Sequence, residues 1–305
     1  VHRFLTLLSR APWSRELRRY LERIDRRTEI NAVLAGQMLT RALPGVVDRL
    51  QDAEFRVFSQ FGDDGIIQYL IRTIRPANDS FVEFGVGDYS ESNTRFLLLH
   101  NNWRGLIMDG SSENMERVRS QELYWRHDLV AKAAFVTSDN VNALISSEGM
   151  TGEIGLLHID VDGNDYWLWR AIDVVSPEIV IMEYNAVFGS DRAITVPYAP
   201  DFRRFAAHYS GLFFGASLPA LCDLAHAKGY SFVGCNSAGN NAYFVRNDRM
   251  SGLKPLAPTA GFVESRFREA RTADGQLSYV RGSHRRELIA GLTVFNTRSQ
   301  HDEPF

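Results

Sequence analysis

Two stretches place oxygen-bearing side chains where a buried segment ends. Asp160-Val161-Asp162-Gly163-Asn164-Asp165 follows the apolar run Ile154–Ile159, and Glu183-Tyr184-Asn185 follows Glu178–Met182. Such groups are costly to pack unless water, a metal ion or a substrate meets them. Carboxylates there can take the proton of an alcohol, or hold a cation that lowers the alcohol's pKa. Asp160 and Asp162 are therefore candidate general bases, with His208 a more distant one. His158, inside the strand, reads as a satisfied core histidine. A second constellation lies upstream. Phe81-Val82-Glu83-Phe84 is short, apolar and β-prone apart from one acid, and it breaks at Gly85-Val86-Gly87. Glycines at a strand end let a ligand lie against bare backbone. Glu83 suits a cationic or polyhydroxylated ligand better than a pyrophosphate, which it would repel. Asp109-Gly110-Ser111 ends another apolar run, and one carboxylate there can accept hydrogen bonds from both hydroxyls of a ribose.

These residues need strands and helices in a set order. Phe81–Phe84, Trp103–Met108, Ala134–Thr137, Ile154–Ile159 and Glu178–Met182 read as five strands. Helical patterns follow them at Thr94–Leu99, Ser112–Arg119, Val141–Ile145 and Trp167–Ile172. Strands alternating with helices predict a parallel sheet, in which the ends of strands four and five are neighbours. Asp160, Asp162, Glu183 and Asn185 should then line one cleft. Tyr230–Cys235 and Asn241–Arg246 form a closing hairpin that adds one antiparallel strand. Upstream, Phe58–Leu70 contains Asp63 or Asp64 as a cap for a helix carrying Ile66, Ile67, Leu70 and Ile71. The aromatic-rich insertion 186–214 follows strand five directly and should cover the cleft. Asn247 onward is polar and partly helical, and no chemistry is assigned to it.

The pattern apolar-acid-x-Gly-x-Gly at Val82–Gly87 resembles motif I of the class I S-adenosylmethionine-dependent methyltransferases. The lead-in Ser59-Gln60-Phe61-Gly62-Asp63-Asp64-Gly65 is similar to that of the FkbM-like group. The resemblance covers roughly residues 55–250. It implies a Rossmann-like α/β fold with a mostly parallel seven-stranded sheet. It also implies S-adenosylmethionine as cofactor, met by Gln60, Glu83, Gly85, Gly87, Asp109, Gly110, Ser111 and Asp160. Asp139 would contact the adenine amine or, equally, cap the helix through Val141. Sugar O-methyltransferases of the macrolide type have a similar layout and hold Mg²⁺ at these two strand ends, which here implies Asp160, Glu183 and Asn185 as ligands. Two consecutive acids stand after strand five in that type, whereas this chain has Glu183 followed by Tyr184. The expected reaction is O-methylation of a hydroxyl on a sugar, surface glycan or secondary metabolite. A nicotinamide-dependent oxidoreductase fits less well, because Ser90 stands where a third glycine belongs. A non-catalytic cofactor-binding scaffold would keep the same glycines.

The 305 residues are 45% hydrophobic and 23% charged, which suits one large α/β domain with additions. The expected organisation is a helical extension over 1–50, a cofactor-binding domain over 51–250 and a C-terminal extension over 251–305. A net charge of -3 and a pI near 6.3 give no general reason to expect a nucleic acid partner. Cys222 and Cys235 fit no zinc spacing and suit a reducing compartment. The opening apolar run is too short for a secretory signal, so a cytoplasmic location is expected. Leu17, Tyr20, Leu21 and Ile24 recur at helical spacing among arginines. That helix would present a solvated face, pack in a homo-oligomer or rest on the anionic inner face of a membrane.

Overall fold

The structure is a computed structural model describing residues 12–305, apart from the side chains of 12–15, 18 and 22. The opening run of apolar residues and the side chains of Arg15 and Arg18 lie outside the described residues. Seven strands form one sheet: β1 (Ser80–Phe84), β2 (Arg104–Asp109), β3 (Leu129–Ala133), β4 (Gly152–Ile159), β5 (Val175–Glu183), β7 (Tyr230–Cys235) and β8 (Asn241–Arg246). Their order is β3-β2-β1-β4-β5-β8-β7. β1 to β5 run parallel, and β8 pairs antiparallel with both β5 and β7. This is the Rossmann-like, mostly parallel seven-stranded sheet with one antiparallel strand that the sequence predicts. The order reverses between β1 and β4, and the crevice at such a switch point is where open α/β sheets bind ligands.

The sheet is central because its strands are apolar on both faces, as parallel strands covered by helices must be. One face packs Val82, Phe84, Leu157 and Val180 against the helices Asp165–Ala171 and Leu218–Ala227. The other packs Phe81, Ile107 and Ile181 against Asp63–Ile74 and Arg95–Asn101. Each fully buried Phe, Ile or Val contributes roughly 1.5–3 kcal/mol. Pro177 lies in β5 without breaking it, because β8 begins its pairing only at Ile179.

Two expectations need correction. β3 spans Leu129–Ala133 instead of Ala134–Thr137. Leu129 and Ala131 alternate into the core, whereas Phe135 is half exposed, so 134–137 forms a loop over the end of the strand. The helix Asp63–Ile74 takes Gly62 as its N-cap, with Asp63 and Asp64 in its first turn. Both acids are buried. Asp64 Oδ2 accepts from the amides of Val57, Phe58 and Ser59 at 2.7, 2.9 and 2.8 Å, so it folds the lead-in loop back over the sheet.

The long helix Pro12–Ala42 docks on this layer. Arg95 joins it to the body, giving one N–H to Glu29 Oε1 at 2.7 Å and another to the Tyr89 carbonyl at 2.7 Å. Leu17, Tyr20, Leu21 and Ile24 remain exposed on it. A second sheet of three strands forms from β6 (Ile194–Thr195), β9 (Thr293–Asn296) and β10 (His301–Pro304). Residues 251–305 thus return to the 186–214 insertion, and Phe188, Ile194, Leu212, Ile289 and Val294 share a core. Among the described residues no helix is long and apolar enough to cross a membrane.

Candidate active site

β1 ends in a turn whose first position only glycine can fill. Gly85 and Gly87 have φ of +76° and +55°. A Cβ on Gly85 would sit 1.6 Å from the Asp160 carbonyl oxygen, whereas one on Gly87 would meet nothing within 4 Å. The first glycine therefore lets the β1 and β4 ends touch, and the second leaves bare backbone facing open space. Two cavities meet over these glycines. One, of about 380 Å³, is lined by Gln60, Glu83, Asn93, His158 and Asp160. The other, of about 330 Å³, is lined by Asp109, Gly110, Phe135, Asp160, Asn164 and Phe202. Gly85 and Gly87 border both.

Glu83 is buried and heavily engaged. Its Oε1 accepts from the Asn93 amide at 3.0 Å and faces His158 Nδ1 at 2.8 Å, while Oε2 accepts from the Ser92 hydroxyl at 2.6 Å. Burial pushes the Glu83 pKa up, but His158 and the hydroxyls outweigh it and hold the carboxyl below its ordinary value. Burial likewise pushes His158 down, and Glu83 more than offsets it, so its pKa is raised. The two form a buried ion pair beneath the cavity, consistent with His158 as a satisfied core residue. The Thr94 hydroxyl also donates to Glu83, which ties the start of the following helix to β1.

Asp109 braces the glycine turn. Its Oδ2 accepts from the Gly87 amide at 2.9 Å and its Oδ1 from the Ser111 amide at 2.8 Å. Each oxygen keeps a further lone pair for a ligand hydroxyl. The Ser111 hydroxyl accepts from the Asn114 amide and caps the helix Ser112–Ser120, and Ser111 borders neither cavity. Asp139 is exposed and also borders neither; the next helix takes Asn140 as its N-cap.

The ends of β4 and β5 bring three carboxylates together. One oxygen from each of Asp160, Asp162 and Glu183 lies within 4.8 Å of the other two. Burial first, and then the neighbouring Asp162, push Asp160 up to about 7. Burial and then Asp160 and Asp162 push Glu183 well above its ordinary value. Glu183 Oε2 is buried and has no hydrogen-bond partner. Asp162 adopts a left-handed conformation with φ of 56° at the turn that follows β4. Asp165 holds this loop, accepting from the amides of Val161 and Gly163 at 2.8 and 2.9 Å. A divalent cation fits this set: three oxygen donors converge and one is orphaned.

Two expected members are elsewhere. Asn185 Oδ1 accepts from the Val187 amide at 3.0 Å, and its Nδ2 donates to the carbonyls of Leu212 and Phe214. It therefore caps a short 3₁₀ turn and pins the insertion, and the third carboxylate of the cluster is Asp162. His208 pairs its Nδ1 with the Ser210 hydroxyl at 2.8 Å and borders neither cavity.

Three site residues were not anticipated. Arg204 of the insertion sets its guanidinium 2.6 Å from Asp162 Oδ1 and 3.9 Å from the centroid of the Phe214 ring. Phe135 lines the second cavity, with Arg203 packed over its ring. Asn164 lines the same cavity, and its buried Oδ1 has no partner. The aromatic-rich composition of 186–214 hinted at a cover for the cleft, but nothing in its periodicity singled out Arg204.

No protein-family profile matches the chain, and no curated protein does. Solved structures that the chain resembles include methyltransferases. The N-terminal domain of EvdMO1 with bound S-adenosylhomocysteine is 10% identical, with 62% of this chain and 80% of that one covered at a TM-score of 0.40. A S-adenosylmethionine-dependent methyltransferase from Clostridium acetobutylicum is 11% identical, with 60% and 90% covered at 0.39. The O-methyltransferase from Bacillus cereus in complex with S-adenosylhomocysteine is 16% identical, with 71% and 91% covered at 0.37.

Proposed function

We propose that this chain is a S-adenosylmethionine-dependent O-methyltransferase of the FkbM-like type, acting on a hydroxyl of a sugar, surface glycan or secondary metabolite. The observation that carries the reading is the meeting of two cavities over Gly85 and Gly87, with Asp109 at one side and the three-carboxylate cluster reaching both through Asp160. Gly87 lines both cavities and a Cβ there would meet no protein atom, which supports a ligand lying against its backbone. Asp109 would accept from ribose hydroxyls and Phe135 would stack on the adenine. Gln60 and the Glu83–His158 pair would face the amino-acid end.

Bound S-adenosylmethionine supplies an electrophilic methyl group on a sulfonium, whose in-line transfer needs chiefly alignment. The chain must also remove a proton from the acceptor. Asp160, held near neutrality by burial and its neighbours, is the base that borders both cavities. In the alternative, metal-assisted form of the reaction, Asp160, Asp162 and Glu183 would hold Mg²⁺, which would supply a lowered acceptor pKa and a fixed hydroxyl orientation in place of the carboxylate base. Arg204 offsets part of the cluster's negative charge and ties the insertion to it. The test is incubation with labelled S-adenosylmethionine and fractionated cell extract, with and without EDTA. A labelled glycan or small molecule is expected; its absence from every fraction overturns the reading.

A further inference from the structure

The C-terminal segment supplies a site of its own. Residues 262–268 and 280–285 enclose a cavity of about 590 Å³ whose lining includes four arginines, Arg266, Arg268, Arg281 and Arg285, against a single acid, Glu264. Three of these guanidiniums, Arg266, Arg268 and Arg281, have no ion pair among the described residues. Arg285 is buried, 5% exposed, and its Nε has no hydrogen-bond partner. It is fixed in place by donating to the Ser265 hydroxyl at 2.8 Å and the Ser265 carbonyl at 3.0 Å. Its one acidic neighbour, Glu264, lies 3.7 Å away with a mostly exposed side chain. Four guanidiniums around one cavity with a single acid leave a local excess of positive charge that a bound anion would offset.

The cavity lies beside the arginine that pairs with the acid cluster. Arg268 and Arg285 line a narrow seam together with Arg204 and Phe214, and Arg204 is the residue paired with Asp162. Phe267 borders both the cavity and the seam and stacks on Phe61 of the lead-in loop, at 6.0 Å between ring centroids. We propose that this arginine-lined cavity binds an anionic group on the acceptor, a phosphate or a carboxylate, and so selects acidic or phosphorylated glycans and metabolites. The inference rests on the methyltransferase reading for the word acceptor, and on the cavity alone for the anion. Guanidiniums match both oxyanions in bidentate geometry, which lysines would not do as well.

Calorimetric titration of the full chain, free and saturated with S-adenosylhomocysteine, uses glucose 1-phosphate, glucuronate and glucose as probes. At least one anion is expected to bind tenfold or more tightly than glucose, and which one identifies the acidic group. Arg285→Gln risks misfolding, so the exposed pair Arg266→Gln/Arg281→Gln carries the test: its anion affinity should fall at least tenfold while affinity for S-adenosylhomocysteine stays unchanged. Equal binding of glucose and both anions, or an unaltered anion affinity in the paired variant, overturns the proposal. A chain that ignores S-adenosylhomocysteine but binds the anions refutes the methyltransferase reading and leaves the anion site standing.

Discussion

Gly85 and Asp160 are in backbone contact: a Cβ on residue 85 would lie 1.6 Å from the Asp160 carbonyl oxygen. The strand that carries the glycine turn and the strand that carries the acids are therefore locked together at the point where both meet the groove. Gly85→Ala should cost more than about 3 kcal/mol, since backbone must move and φ is positive. Gly87→Ala should cost only about 1 kcal/mol for its positive φ, yet weaken S-adenosylhomocysteine at least tenfold by filling the groove. Urea unfolding and calorimetry on the two variants check this; a Gly87→Ala protein that binds normally would contradict the placement of the cofactor.

Glu183 sets stability against activity. Its carboxyl is buried among two other acids with one oxygen unpartnered. Glu183→Gln should raise stability at pH 8 by about 1 kcal/mol through lost repulsion, and lower turnover by roughly a hundredfold or more. Wild-type turnover should fall on chelation and return with Mg²⁺. Activity that persists in EDTA would refute the metal.

Asn185 separates structure from ligation. Three buried hydrogen bonds hold it between the β5 end and the insertion. Asn185→Ala should lose about 2–3 kcal/mol in urea unfolding, with the Mg²⁺ concentration for half-maximal activity unchanged. A shifted Mg²⁺ requirement at unchanged stability would restore Asn185 as a ligand.

Asp64 gives a pH signature. Burial, opposed by the Ser59 hydroxyl and the loop amides, pushes its pKa up to about 6 from 3.8. A folded pKa above the unfolded one favours the protonated folded state, so the contribution is complete below about pH 4 and is lost as pH rises through 6. Asp64→Asn should flatten the stability profile between pH 4 and 7 by up to about 2–3 kcal/mol relative to wild type. Superimposable profiles from urea unfolding at each pH would contradict it.

The sheet was legible because its strands are buried on both faces and read as continuous apolar runs, and the acids at their ends stand out against them. β3 was misplaced because Leu129-Val130-Ala131 is short and bracketed by charge, while Ala134-Phe135-Val136 looks equally strand-like; only pairing with β2 decides between them. Asp162, expected as a base, sits in the carboxylate cluster while Asn185 points away from it, for a reason that sequence spacing does not carry. Where Asn185 points depends on carbonyls at 212 and 214, and where Asp162 points depends on its left-handed φ. Arg204 and the arginine cavity depend on contacts between the insertion and residues 262–285, far apart in the chain.

The central claim is that the groove over Gly85 and Gly87 takes a S-adenosyl nucleoside. Titration of the folded chain with S-adenosylhomocysteine, and separately with NAD, measures it directly. One-to-one binding of the thioether with a dissociation constant on the order of micromolar, and no heat from NAD, is the predicted result. A well-folded chain that binds neither, or binds NAD alone, would contradict it.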